Sequence, residues 1–66
     1  MKIREMIRLV EFDGWNMVGQ EGSHRQYEHP AKPGKVTIAG HPGKDVSENM
    51  ISSILRQAGL TRKDLR

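Results

Sequence analysis

Apolar residues Ile3, Met6, Ile7 and Val10 recur at the spacing i, i+3, i+4, i+7, which gathers them on one face of a helix over residues 2–12. Leu9 widens this stripe, and Lys2, Arg4, Glu5, Arg8 and Glu11 fall between its members on the wet side. Asp13-Gly14 ends the helix, since glycine tolerates the backbone that closes a helix end. From Trp15 to Gln20 the period changes from helical to alternating, as in a strand. Glu21-Gly22 signals a turn, residues 23–29 read as a second strand, and Pro30-Ala31-Lys32-Pro33-Gly34 as a second turn. Lys35-Val36-Thr37-Ile38-Ala39 carries β-branched residues in alternation and is the clearest strand. After the loop Gly40-His41-Pro42-Gly43-Lys44, Ser47 is an N-cap, with Val46 and Ile51 placed as a hydrophobic staple. Ile51, Ile54, Leu55 and Ala58 repeat the helical stripe until Gly59 stops it, and Thr61 with Asp64 caps one further short turn.

The order helix, three strands, helix has one economical packing. It is an α+β domain whose three-stranded antiparallel sheet carries both helices on one face and leaves the other face in water. This α-β-β-β-α layout is that of double-stranded-RNA-binding domains, and by itself it says nothing of function. The chain has 66 residues, enough for one domain spanning 1–66. A domain of this size buries only ~60% of the surface its unfolded chain exposes, so its core is thin. Fully buried Ile7 and Ile54 would each cost ~2–5 kcal/mol on truncation to alanine.

Composition narrows the chemistry. The absence of cysteine excludes a disulfide scaffold, a cysteine zinc site and a thiol enzyme. No apolar run approaches a membrane span, and Met1-Lys2-Ile3-Arg4-Glu5 has no signal-peptide character, so the chain is expected in the cytoplasm without a membrane partner. The net charge of +3 is unevenly spread. Residues 22–45 and 56–66 are basic, the latter through Arg56, Arg62, Lys63 and Arg66, while residues 1–21 are slightly acidic. A polyanion is the natural partner of such a surface.

All three histidines, His24, His29 and His41, lie in the basic middle segment. His24 follows Gly22-Ser23 and precedes Arg25, which sets a group that titrates near neutral pH beside a hydroxyl and a cation. Ribonuclease chemistry without a metal asks for these groups: a base for the ribose 2′-hydroxyl proton and donors for the phosphate. An ordinary exposed strand histidine would look the same locally. His24 and Tyr27 differ by an odd number, so a core Tyr27 puts His24 on the open face. His41 and Lys44 sit in a shaped loop just before a helix N-terminus, where a phosphate could be held. Phe12, Trp15 and Tyr27 are read as core rather than as base-stacking platforms. The three histidines match no metal-ligand spacing, and no metal or cofactor is expected.

The segments Gly22-Ser23-His24-Arg25-Gln26-Tyr27 with His29-Pro30, Gly40-His41-Pro42-Gly43-Lys44, and Ile54-Leu55-Arg56-Gln57-Ala58-Gly59-Leu60, together with Asp13-Gly14-Trp15, resemble the HicA toxin family over nearly the whole chain. The resemblance implies a toxin of a toxin–antitoxin system with a double-stranded-RNA-binding-like fold. It implies a ribosome-independent endoribonuclease that cleaves mRNA without a metal and is neutralised by a HicB-like antitoxin. The family's functional histidine matches His24. Gly22, Ser23, Arg25, Lys35, His41 and Lys44 are the residues expected to bind RNA around it. The chain departs from the family pattern at Glu21, where a basic residue is common, and at Ser47-Glu48-Asn49-Met50, where the last helix more usually starts with proline and glycine. The competing readings are a non-catalytic RNA-binding module on the same fold and a protein-interaction domain without nuclease activity.

Overall fold

The computed structural model describes residues 1–65, so Arg66 of the basic tail lies outside the described residues. Helix α1 spans Ile3–Phe12; strands β1 (Asn16–Glu21), β2 (His24–Glu28) and β3 (Val36–Ala39) follow; helix α2 spans Glu48–Ala58, and a 3-10 turn closes at Arg62–Asp64. The strands form one antiparallel sheet in the order β1-β2-β3. Along β2, Arg25 and Tyr27 are buried while His24, Gln26 and Glu28 are exposed; along β3, Val36 and Ile38 are buried. Ile3, Met6 and Val10 of α1 and Ile51, Ile54, Leu55 and Ala58 of α2 join Tyr27, Val36, Ile38 and Trp15 in a single core. The architecture is therefore the expected one, with both helices on one sheet face and the other face in water.

Local chemistry sets the helix ends. Trp15 N–H donates to the Val10 carbonyl and Gly14 N–H to that of Glu11, with Gly14 at φ +104°. Leu60 N–H to Leu55 and Gly59 N–H to Arg56 repeat the pattern at the end of α2, where Gly59 is left-handed at φ +69°. Both helices thus close in the same glycine-centred motif, which satisfies carbonyls that would otherwise lack partners. Ser47 Oγ accepts from Met50 N–H at the start of α2, and Thr61 N–H donates to the Asp64 carboxylate at the short last turn.

Three expectations are corrected. Phe12 is 91% exposed rather than core; it lies two residues beyond Val10, about 200° round the helix and away from the stripe. Ile7 only flanks the stripe and is partly buried. The alternation read through residues 15–20 is broken by a bulge between Met17 and Gly19, where Val18 has no partner on β2. Met17 pairs with Tyr27 of the helix-covered face, whereas Gly19 pairs with Gln26 and Glu21 with His24 of the open face. No helix covers β1, and all six of its residues are exposed.

Candidate nucleic-acid interface

The hairpin joining β1 and β2 turns on Gly22-Ser23, one residue later than Glu21-Gly22. Gly22 has φ +60° at the first central position, as in the two-residue turns whose twist matches that of the flanking strands. His24 is the first residue of β2, on the exposed face, opposite Glu21 of β1 and Ala39 of β3. With Gly19, Gln20, Glu21 and Gln26 it lines a shallow open depression. Among the described residues no hydrogen bond or ion pair engages its ring. Parity along β2 is what frees it: Tyr27 is core, so His24 faces out.

The second loop meets this turn directly. Gly40 N–H donates to the Ser23 carbonyl at 3.1 Å. Gly40 takes φ +118°, and a Cβ there would stand 3.4 Å from Ile3, so glycine lets the loop press onto the core. Lys44 N–H closes the loop on the His41 carbonyl, and the Lys44 side chain folds back to within 3.6 Å of where a Gly40 Cβ would be. The same loop caps α1: the Lys44 carbonyl accepts from Ile3 N–H at 2.9 Å and the Pro42 carbonyl from Arg4 N–H at 3.0 Å. The first amides of α1 are therefore occupied by backbone. Lys2 pairs with Asp45 at 2.8 Å, and its hydrogen bond holds the Asp45 carboxyl below the ordinary value. Lys44 has no carboxylate partner among the described residues.

Ser23, His24, Gly40, His41 and Lys44 thus come together at one end of the sheet. Arg25 does not share their surface. Its side chain is on the helix-covered face, 9% exposed, and donates to the Gly40 carbonyl at 2.9 Å and the Ser23 carbonyl at 3.3 Å. Lys35 is also separated. It precedes Val36, which pairs with Tyr27, so it sits at the far end of β3 beside Glu28, 3.7 Å away. Antiparallel pairing sends the start of β3 to the end of β2, roughly 13 Å along the strand from His24. Arg4 is exposed, as expected for the wet side of α1, and its guanidinium lies 3.7 Å from where a Gly43 Cβ would stand. No sequence signal tied it to that loop; the hydrogen bond to Pro42 brings it there.

His29 is placed quite differently from His24. Its Nδ1 accepts from the Ala31 and Lys32 amides at 2.9 and 3.1 Å, and Nε2 lies 2.8 Å from the Asp13 carbonyl. Two donors at Nδ1 and a carbonyl at Nε2 define the tautomer with hydrogen on Nε2. The ring also stands edge-on to Trp15, centroids 5.2 Å apart. Beside it the Lys32 ammonium donates to the Asp13 carboxylate and to the Ala58 carbonyl at the end of α2. Lys32, helped by the Trp15 indole N–H, holds the Asp13 carboxyl below its ordinary value against the opposing effect of burial. This cluster braces the ends of both helices. Among the described residues no group of three His, Asp or Glu side chains is arranged to hold a metal ion, and no helix is long and apolar enough to cross a membrane. A second concavity, lined by Met1, Leu9, Phe12 and Leu60 among others, runs along α1 and holds none of the expected site residues.

The domain is thus an α-β-β-β-α fold with two helices on one face of a three-stranded antiparallel sheet and, among the described residues, an unpartnered histidine on the open face between two glycine-shaped loops. The chain belongs to the HicA toxin family: the family model for the HicA toxin of bacterial toxin–antitoxin systems matches residues 3–60. It is thus a toxin of a toxin–antitoxin system, with an antitoxin as partner. No curated protein matches the chain.

Proposed function

We propose that this toxin is a ribosome-independent endoribonuclease that cleaves mRNA in the cytoplasm, without a metal, using His24 as its catalytic residue. The observation that carries the reading is the contrast between the histidines. His29 is engaged on both ring nitrogens by structure, whereas His24 is exposed on the open face with both nitrogens available to a substrate. A neutral imidazole there takes the proton of a ribose 2′-hydroxyl as its oxygen attacks the adjacent phosphorus. The bond to the 5′ oxygen breaks, that oxygen takes a proton from water, the imidazolium returns its proton to solvent, and the products are a 2′,3′-cyclic phosphate and a 5′-hydroxyl end. Ser23, His41, Lys44 and the backbone at Gly22 line the approach, and Lys44 supplies charge for the phosphate. Lys35, at the far end of the sheet, serves a neighbouring stretch of RNA backbone. A HicB-like antitoxin neutralises the toxin by covering His24 and the adjoining loops.

The test compares wild type and His24→Ala, both shown folded, on one RNA with and without EDTA and with a single deoxyribose at the cleavage position. Wild type should cleave with or without chelator, and the variant and the deoxy substrate should be inert. Equal cleavage by both proteins, or loss of wild-type cleavage on chelation, refutes the role of His24. RNA binding with no cleavage by either protein would make the domain a non-catalytic RNA-binding module.

A further inference from the structure

We infer that Arg25 is a positioning residue that pins the two site loops together from beneath the sheet, and that it does not touch RNA. The inference rests on the nuclease reading of His24 for its consequence, but the pinning itself is read from geometry. Among the described residues Arg25 is the one charged side chain in the buried set. Burying a charge is costly unless it is well bonded, and an apolar side chain of similar length would fill the space at less cost. Arg25 has no carboxylate partner among the described residues; it spends its guanidinium on two backbone carbonyls. These are Ser23, immediately before His24, and Gly40, immediately before His41. The Gly40 N–H to Ser23 carbonyl bond joins the same two points.

The arrangement is a three-way lock. The Ser23 carbonyl receives both Arg25 and Gly40, and the Gly40 carbonyl receives Arg25. Beyond the last paired residues of the sheet, His24 and Ala39, the junction would otherwise rest on the single Gly40–Ser23 bond. Charged hydrogen bonds are the stronger kind, and both come from the one Nη1, whose two hydrogens lie in the guanidinium plane and so hold the two acceptors in a defined relation where an ammonium is a flexible point charge. Strand pairing fixes His24 beside Ala39, and Arg25 adds the constraint that holds the loop bearing His41 and Lys44 in place beyond it. Catalysis is sensitive to such spacing more than ground-state binding is.

Arg25→Met and Arg25→Lys test the assignment with three readouts. In Arg25→Met, amide hydrogen exchange should accelerate at residues 22–24 and 40–44 while core amides such as Ile38 and Ile54 keep their protection. Arg25→Lys, which keeps a donor near both carbonyls, should recover part of it. The kcat on RNA should fall about tenfold or more with KM changed less than about threefold. In a His24→Ala background, the salt dependence of RNA binding should be the same with and without Arg25→Met. A salt slope smaller by about one counterion would make Arg25 a phosphate ligand and overturn the proposal. Unchanged exchange at both loops, or acceleration throughout the core, would also overturn it. Should Arg25→Met not fold, Arg25→Lys is judged on the same measurements, with a smaller loop effect expected and a loss of one counterion refuting it. If wild type cleaves no RNA, the nuclease reading fails while exchange at the two loops still decides the pinning.

Discussion

Replacing Lys32 by methionine removes the brace between the two helix ends while keeping an apolar stem of similar length. The ammonium is shared by the Asp13 carboxylate and the Ala58 carbonyl, and the pair is only about a third exposed, 33% on Lys32 and 27% on Asp13. Exposed ion pairs contribute about 0–1 kcal/mol and hydrogen bonds to charged groups about 1.5–3 kcal/mol, so an intermediate loss of about 2 kcal/mol is expected. Domains of this size are stable by roughly 3–10 kcal/mol, so the melting temperature should fall by about 8–16 °C. The pair also predicts a pH dependence of definite sign. Lys32 depresses the Asp13 carboxyl in the folded state below its ordinary value of 3.8. The stabilisation is therefore complete above that ordinary value and is lost as pH falls through the lowered folded-state value. In urea titrations of wild type and Lys32→Met between pH 6 and pH 2 the gap should narrow toward the acid end, leaving the part due to the Ala58 carbonyl. A double-mutant cycle with Asp13→Asn should give a coupling of about 1–2 kcal/mol. A variant that melts within about 2 °C of wild type, with an unchanged acid profile, would refute the reasoning.

Ile54→Ala should destabilise by ~2–5 kcal/mol because the side chain is fully buried, while Ile7→Ala, at a flank of the stripe, should cost clearly less in the same urea titration. Phe12→Ser should leave the unfolding free energy in urea nearly unchanged, within about 0.5 kcal/mol, given its exposure. Gly14→Ala should lower the melting temperature sharply, since a Cβ would stand 2.8 Å from His29 Nε2 at a φ that alanine avoids. Lys44→Ala should weaken RNA binding in a filter or polarisation assay and reduce its salt slope by about one counterion, with folding intact.

The elements of this domain were legible because their causes are local. The stripe Ile3-Met6-Val10, Ser47 at the start of α2, and the glycines that end both helices act within a turn or two of chain. The outward aspect of His24 followed from its odd separation from Tyr27 along one strand. Family membership was legible too, since it lies in short ordered motifs. The arrangement around His24 was not, because it depends on which segments lie across from one another. Arg25 and Lys35 are cations next to glycine or proline turns in the sequence, and charge alone puts both on the surface with the phosphate. Register decides otherwise: Arg25 alternates inward with Tyr27, where two carbonyls from separate loops receive it, and antiparallel pairing carries Lys35 to the opposite end of the sheet. Arg4 joins the site because backbone amides of α1 need acceptors and the 40–44 loop supplies them. His24 and His29 are chemically identical in the sequence. Only the tertiary fold separates them, by surrounding one ring with backbone donors and a carbonyl and leaving the other open to solvent.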